Sequence, residues 1–198
     1  MHPLLFDRRR FLQFAAAGLG VSSFASRVSA IAGAPDGLIL MAYASRCGST
    51  REIAQAVAQD LRARGLVVDL RPADQVASLA PYRAVALGSA VRFGKWLPES
   101  VAFVERHQAA LNRLPKAFFT VHMLNTGADP ASRQARAGYV QPIYARVKPD
   151  CDAFFAGKMD MSRLSFTERL LCKMMKGHDA DARDWTAIHA WAQRLFAA

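Results

Sequence analysis

LILMAYASRCGSTREIAQAVAQDLRARG, residues 38–65, holds the decision about the fold. Leu38–Ala44 is an almost unbroken apolar run, which is how a strand buried on both faces of a parallel sheet reads. From Ser49 to Arg64 the residues Ile53, Val57 and Leu61 recur four apart among Arg51, Glu52, Gln59 and Arg62, and Gly65 supplies a stop. The stretch predicts a strand, a polar turn at Ser45–Thr50 and a helix.

The same alternation continues outward. Strands are expected at Leu66–Leu70, Ala84–Gly88, Lys116–Met123 and Ala153–Gly157, with helices at Pro98–Leu111, Ala131–Arg146 and Asp184–Phe196. Strands alternating with helices over short connections imply an α/β fold, a doubly wound parallel sheet covered on both faces. Five strands in this sequence fit the order 2-1-3-4-5. One segment interrupts the pattern. Met159–His178 carries Leu170, Leu171, Met174 and Met175 on one face with Arg163, Arg169, Lys173 and Lys176 around them. It is expected to be a helical insert before the last helix, and three roles stay open: lying on an anionic membrane, closing over a ligand, or packing on the domain edge.

The N-terminus reads as an address rather than as part of the fold. Arg8, Arg9 and Arg10 precede Phe11-Leu12, a weakly apolar Ala/Gly-rich run and the small residues Val28-Ser29-Ala30. Arg8–Gln13 resembles the twin-arginine consensus, which implies residues 1–30 as an export signal, residues 31–198 as the mature domain, and the twin-arginine machinery as a partner. The expected location is the periplasm, with the inner-membrane surface as a docking place.

Lysine and arginine number 26 against 16 acidic residues, a formal charge of +10. A basic surface favours anionic partners and says nothing about fold. Nucleic acid is set aside, because no aromatic-basic motif or recognition helix accompanies the charge. The three cysteines and five histidines form no cluster at metal-ligand spacing, so no metal site is expected.

In open α/β sheets ligands lie beyond the carboxyl ends of the strands where strand order reverses, and Ser45–Thr50 follows the first strand at that point. Its hydroxyls (Ser45, Ser49, Thr50), the permissive Gly48 and the start of a helix suit a phosphate. An ordinary helix cap uses the same residues. A nucleoside-triphosphatase loop is disfavoured because no lysine precedes the hydroxyl pair, and a dinucleotide fingerprint fails because only one glycine is present.

Ala44–Ala54, ASRCGSTREIA, resembles the phosphate loop and first helix of flavodoxins, and more closely that of the flavodoxin-type, quinone-dependent protoporphyrinogen oxidases. Gly88–Lys95, GSAVRFGK, is similar to that family's second flavin loop, and AFFTVHM and FTERLLCKMMKG also look like it. The resemblance spans roughly residues 38–196 and implies a flavodoxin-like domain binding FMN. Ser45, Arg46, Gly48, Ser49 and Thr50 match its phosphate loop, with Cys47 a small filler among them. Ala90, Val91, Arg92, Phe93 and Gly94 match its ring loop, with Phe93 or Trp96 in place to stack on the flavin. His122–Asn125, with His122, Leu124 and Asn125 foremost, belongs to the facing wall.

Two departures stand out: HDADARDW, before the last helix, is shorter than the family's usual segment, and the family acts on the cytoplasmic side whereas this chain carries an export signal. The resemblance implies an FMN-dependent oxidoreductase passing electrons from a small reduced substrate, protoporphyrinogen-like, to a membrane quinone. Two alternatives stand beside it: a flavodoxin-type electron carrier, and a flavin-free binding module. Electron carriers of that type are commonly acidic, and this chain is basic.

Overall fold

The computed structural model describes residues 37–160, 162, 169, 170, 174 and 180–196. The expected export signal at 1–30 and most of the expected insert at 159–178 lie outside the described residues.

Strand β1 (Leu38–Ala44) is followed by α1 (Ser49–Ala63), β2 (Val67–Pro72), β3 (Tyr82–Arg92), a two-residue β4 (Lys95–Trp96), α2 (Pro98–Leu111), β5 (Lys116–His122), α3 (Pro130–Tyr144) and β6 (Cys151–Ala156). The short strands β7 (Lys158–Met159) and β8 (Ala180–Asp181) then precede α4 (Trp185–Arg194). The five long strands are parallel in the order β2-β1-β3-β5-β6, which is the expected 2-1-3-4-5 once β4 is counted in the chain. β4 pairs antiparallel with the end of β3, and β7 pairs antiparallel with β8.

The period-two geometry of the strands divides the core. Ile39, Met41, Phe119, Val121 and Phe155 pack on one face against Ile53, Val57 and Leu61 of α1 and Ile188 and Trp191 of α4. Leu40, Ala42, Leu87 and Phe118 pack on the other against Phe103, Val104 and Leu111 of α2 and Val140 and Ile143 of α3. The four-residue spacing of Ile53, Val57 and Leu61 is thus the buried stripe of α1, and all three are fully buried.

One expectation is corrected. Ala90, Val91 and Arg92 are the end of β3 rather than loop, and the loop shrinks to Phe93-Gly94. The reason is the hairpin: Val91 pairs with Trp96 and Arg92 with Lys95, so the strand continues past the point where its apolar run ends. Phe93 (φ 50) and Gly94 (φ 73) both take left-handed backbone, as the tightest two-residue hairpin turn requires.

Candidate functional site

The first strand-to-helix turn is built around Gly48, whose φ of 93 swings the chain into α1. As the residue that caps α1, glycine places no side-chain acceptor on the first-turn N–H groups. Those groups have no partners within the helix, and the positive end of its dipole lies there too. The hydroxyls around them are in different states. Ser45 Oγ accepts from the Gly48 N–H at 3.1 Å, and Ser49 Oγ accepts from the Lys158 N–H at 2.9 Å, so each oxygen is anchored while its proton remains for donation. Thr50 Oγ1 is buried without any hydrogen-bond partner. An orphaned hydroxyl of this kind destabilises a fold by about 1–3 kcal/mol unless something else satisfies it.

A cleft of about 100 Å³ opens above these residues at the carboxyl ends of β1, β3, β5 and β6. It brings together Ser45, Arg46, Cys47, Ser49, Thr50, Ala90, Val91 and His122, eight residues expected from the sequence. Met123, from the expected facing wall, joins them, and Val121, Gly157, Lys158 and Met159, which the sequence reading missed, complete it. Sites that enclose a whole cofactor are about 300 Å³ or larger, so this cleft matches a phosphate-bearing tail rather than a ring system. A larger cleft of about 370 Å³ lies on the other side of the turn, next to Arg46, Gly48 and Arg51. Asp74 and Glu99 offset Arg46 and Arg51 there, whereas the smaller cleft has Arg46 and Lys158 and no acid in its lining, which makes the smaller one the better place for an anion.

The remaining expected residues, Gly48, Arg92, Phe93, Gly94, Leu124 and Asn125, do not line the smaller cleft. Phe93 is 76% exposed at the tip of its hairpin, with the Arg92 guanidinium 4.9 Å from its ring centre. A bulky residue at positive φ is strained, and such strain is characteristic of working surfaces. Trp96 does not share that position. It is buried, its Nε1 donates to Thr120 Oγ1 at 3.0 Å, and its ring packs on Phe118. Pairing of β4 with β3 turns it into the core, which removes it as a stacking partner.

On the facing wall His122 is buried at the end of β5, with Nδ1 2.7 Å from the Leu124 carbonyl oxygen. A carbonyl only accepts, so Nδ1 carries the proton and Nε2 is left as an acceptor in the neutral ring. Burial lowers the pKa of His122 below the ordinary histidine value against the opposing effect of that hydrogen bond, and the nearby Arg136 lowers it further. The ring is therefore neutral at pH 7. Leu124 is 65% exposed, and Asn125, at φ 60, donates from Nδ2 to Tyr139 Oη. Neither Leu124 nor Asn125 lines the cleft.

The residues present fit a phosphate monoester: an uncapped helix start, anchored hydroxyls with protons to donate, and a buried hydroxyl lacking a partner. A family model described as a flavodoxin domain matches residues 40–185. Protoporphyrinogen IX dehydrogenase (quinone) of Escherichia coli (strain K12) is 26% identical over 161 residues, covering 78% of this chain and 88% of the relative. The protein of the same name from Leishmania major is 27% identical over 168 residues, covering 77% and 72%. Among solved structures, a flavodoxin from Streptococcus pneumonia TIGR4 superposes with a TM-score of 0.48 at 18% identity, covering 80% of this chain and 97% of that one.

Proposed function

The chain belongs to the flavodoxin-domain family, and from that premise we propose that it is an FMN-dependent oxidoreductase that takes electrons from a small reduced substrate of the porphyrinogen class and delivers them to a quinone. The observation that carries the cofactor is the orphaned Thr50 hydroxyl beneath an uncapped helix start at the switch point of the sheet. Substrate and acceptor are supported by the two relatives, whose names give both, and by alignment over 88% of one of them.

In this reading Ser45, Ser49 and Thr50 donate to the phosphate together with the first N–H groups of α1. Bound FMN supplies reversible acceptance of electrons at its ring. Ala90 and Val91 shape one side of the approach to that ring, and His122 shapes the other. His122 stays neutral and offers Nε2 as an acceptor, so this wall adds no positive charge. Arg92 brings a cation to the rim, where it favours a substrate bearing carboxylates. Phe93 keeps an apolar ring at the same rim for the flat body of such a substrate. Arg8–Gln13 supports export by the twin-arginine route, which carries folded, cofactor-loaded proteins, and the basic surface supports work beside an anionic membrane.

The test is turnover by the full chain loaded with FMN. Protoporphyrinogen oxidation, followed by porphyrin fluorescence under anaerobic conditions, is expected to start when a soluble quinone is added. Tight FMN binding with no quinone-dependent oxidation would replace the enzyme with an electron carrier.

A further inference from the structure

The ribbon formed by β7 and β8 is fastened at its base to the first turn of α1. The Lys158 N–H donates to Ser49 Oγ at 2.9 Å, and a Cβ added to Gly157 would come within 3.3 Å of the same oxygen. Two residues beyond β8, the Arg183 guanidinium reaches back to the same helix. Its side chain is only 6% exposed. It pairs with Glu52 on α1 and holds Asp181 through Nε and Nη2 at 2.8 and 2.6 Å, and the Trp185 ring lies 4.6 Å from its Cζ. Asp181, and after it Glu52, raise the pKa of this guanidinium against the opposing effect of burial, and Asp181 in turn is drawn down to about 2. Arg183 and Asp181 are both charged across the physiological range.

Glu52 explains why this arrangement matters. A carboxylate in the first turn stabilises an isolated helix through the dipole, but it repels any second anion bound at the same end. We propose that Arg183 is a positioning residue for the cofactor phosphate: by pairing with Glu52 it offsets the one acidic side chain of the first turn and fixes that turn against the ribbon, so that less negative charge faces an anion held at Ser45–Thr50. The inference rests on the reading of that turn as a phosphate cradle. It adds a residue 131 positions from Glu52 in the chain to the machinery that sets affinity for the phosphate.

The experiment compares FMN with riboflavin, which has the same ring and no phosphate, by quenching of flavin fluorescence on the full chain. Arg183→Gln is expected to weaken FMN binding about tenfold, the size of effect that loss of one positive charge has near a partly exposed site, while riboflavin changes less than about twofold. Glu52→Gln in the same chain should restore FMN binding to within about threefold of the parent, because the first turn then carries no carboxylate to repel the phosphate. Equal weakening toward both flavins, no recovery in the double variant, or no change in Arg183→Gln would each overturn the proposal. Glu52→Gln alone provides a second reading if Arg183→Gln fails to fold: FMN binding should tighten severalfold with riboflavin unchanged, and an unchanged FMN affinity overturns the proposal as well. Failure of the parent to bind either flavin would instead remove the cofactor reading itself.

Discussion

Replacing Thr50 by Val should move stability and affinity in opposite directions. Thr50 is 1% exposed and its Oγ1 has no partner, so the folded protein without ligand carries the desolvation penalty of a buried hydroxyl. Val keeps the β-branch and nearly the same volume, so the first turn of α1 loses neither packing nor rotamer preference. Removing the orphaned oxygen should raise the unfolding free energy of the ligand-free protein by about 1 kcal/mol, or about 2–4 °C in Tm for a chain of this size. The same change deletes a donor to a charged phosphate, worth about 1.5–3 kcal/mol, and so should weaken FMN binding about 10- to 100-fold. Urea denaturation of the ligand-free protein and fluorescence titration with FMN read the two quantities separately. A variant that is less stable than the parent and binds FMN equally well would refute the reasoning, for Thr50 would then be a satisfied core residue.

Three other substitutions test separate parts of the account. A Cβ at Gly88 would lie 2.0 Å from Cζ of Phe119, a fully buried ring packed against Phe155 and Trp191, so Gly88→Ala should cost about 3 kcal/mol in urea denaturation, with partial recovery on adding Phe119→Leu. His122 has a pKa lowered by burial, so the unfolded chain binds its proton more readily than the folded one. Stability should therefore fall as pH drops below about 6.5, and comparing urea midpoints at pH 7.5 and 5.5 should show a smaller drop for His122→Asn. Phe93→Asn places a residue suited to left-handed backbone at φ 50 and should stabilise the hairpin by about 0.5–1 kcal/mol, while kcat/KM with a porphyrinogen substrate falls because the exposed ring is gone.

The parts of this fold written locally were readable, and so was the strand order their alternation implies, whereas meetings between particular distant residues were not. The run Leu38–Ala44 and the stripe Ile53, Val57, Leu61 each report their own burial, so β1 and α1 emerge from periodicity alone. Pro98 marks the start of α2 because its fixed φ and missing N–H suit a first helical residue. The end of β3 could not be read in this way, since Arg92 and Gly94 interrupt the apolar run and the strand persists only through its pairing with Lys95-Trp96. Phe93-Gly94 also lacks the Asn or Asp that normally signals a tight hairpin. In the cleft, Ser45–Thr50 was legible because a strand, a glycine and hydroxyls at a helix start form one contiguous signal. Gly157, Lys158 and Met159 reach the same cleft from the end of β6, and Lys158 meets Ser49 across 109 residues. No spacing pattern encodes such a meeting. Trp96 shows the converse, an aromatic beside a glycine-rich turn whose direction is set by strand pairing rather than by its neighbours.

In the proposed function the turn between β1 and α1 holds the phosphate of a flavin mononucleotide. The most direct test is the visible absorption spectrum of the purified full chain after incubation with FMN and removal of free flavin by desalting. A retained flavin band near one equivalent is expected in the parent, lost when Ser49 and Thr50 are both replaced by glutamate. A parent protein that emerges colourless, or a double variant that keeps the band, would contradict that reading.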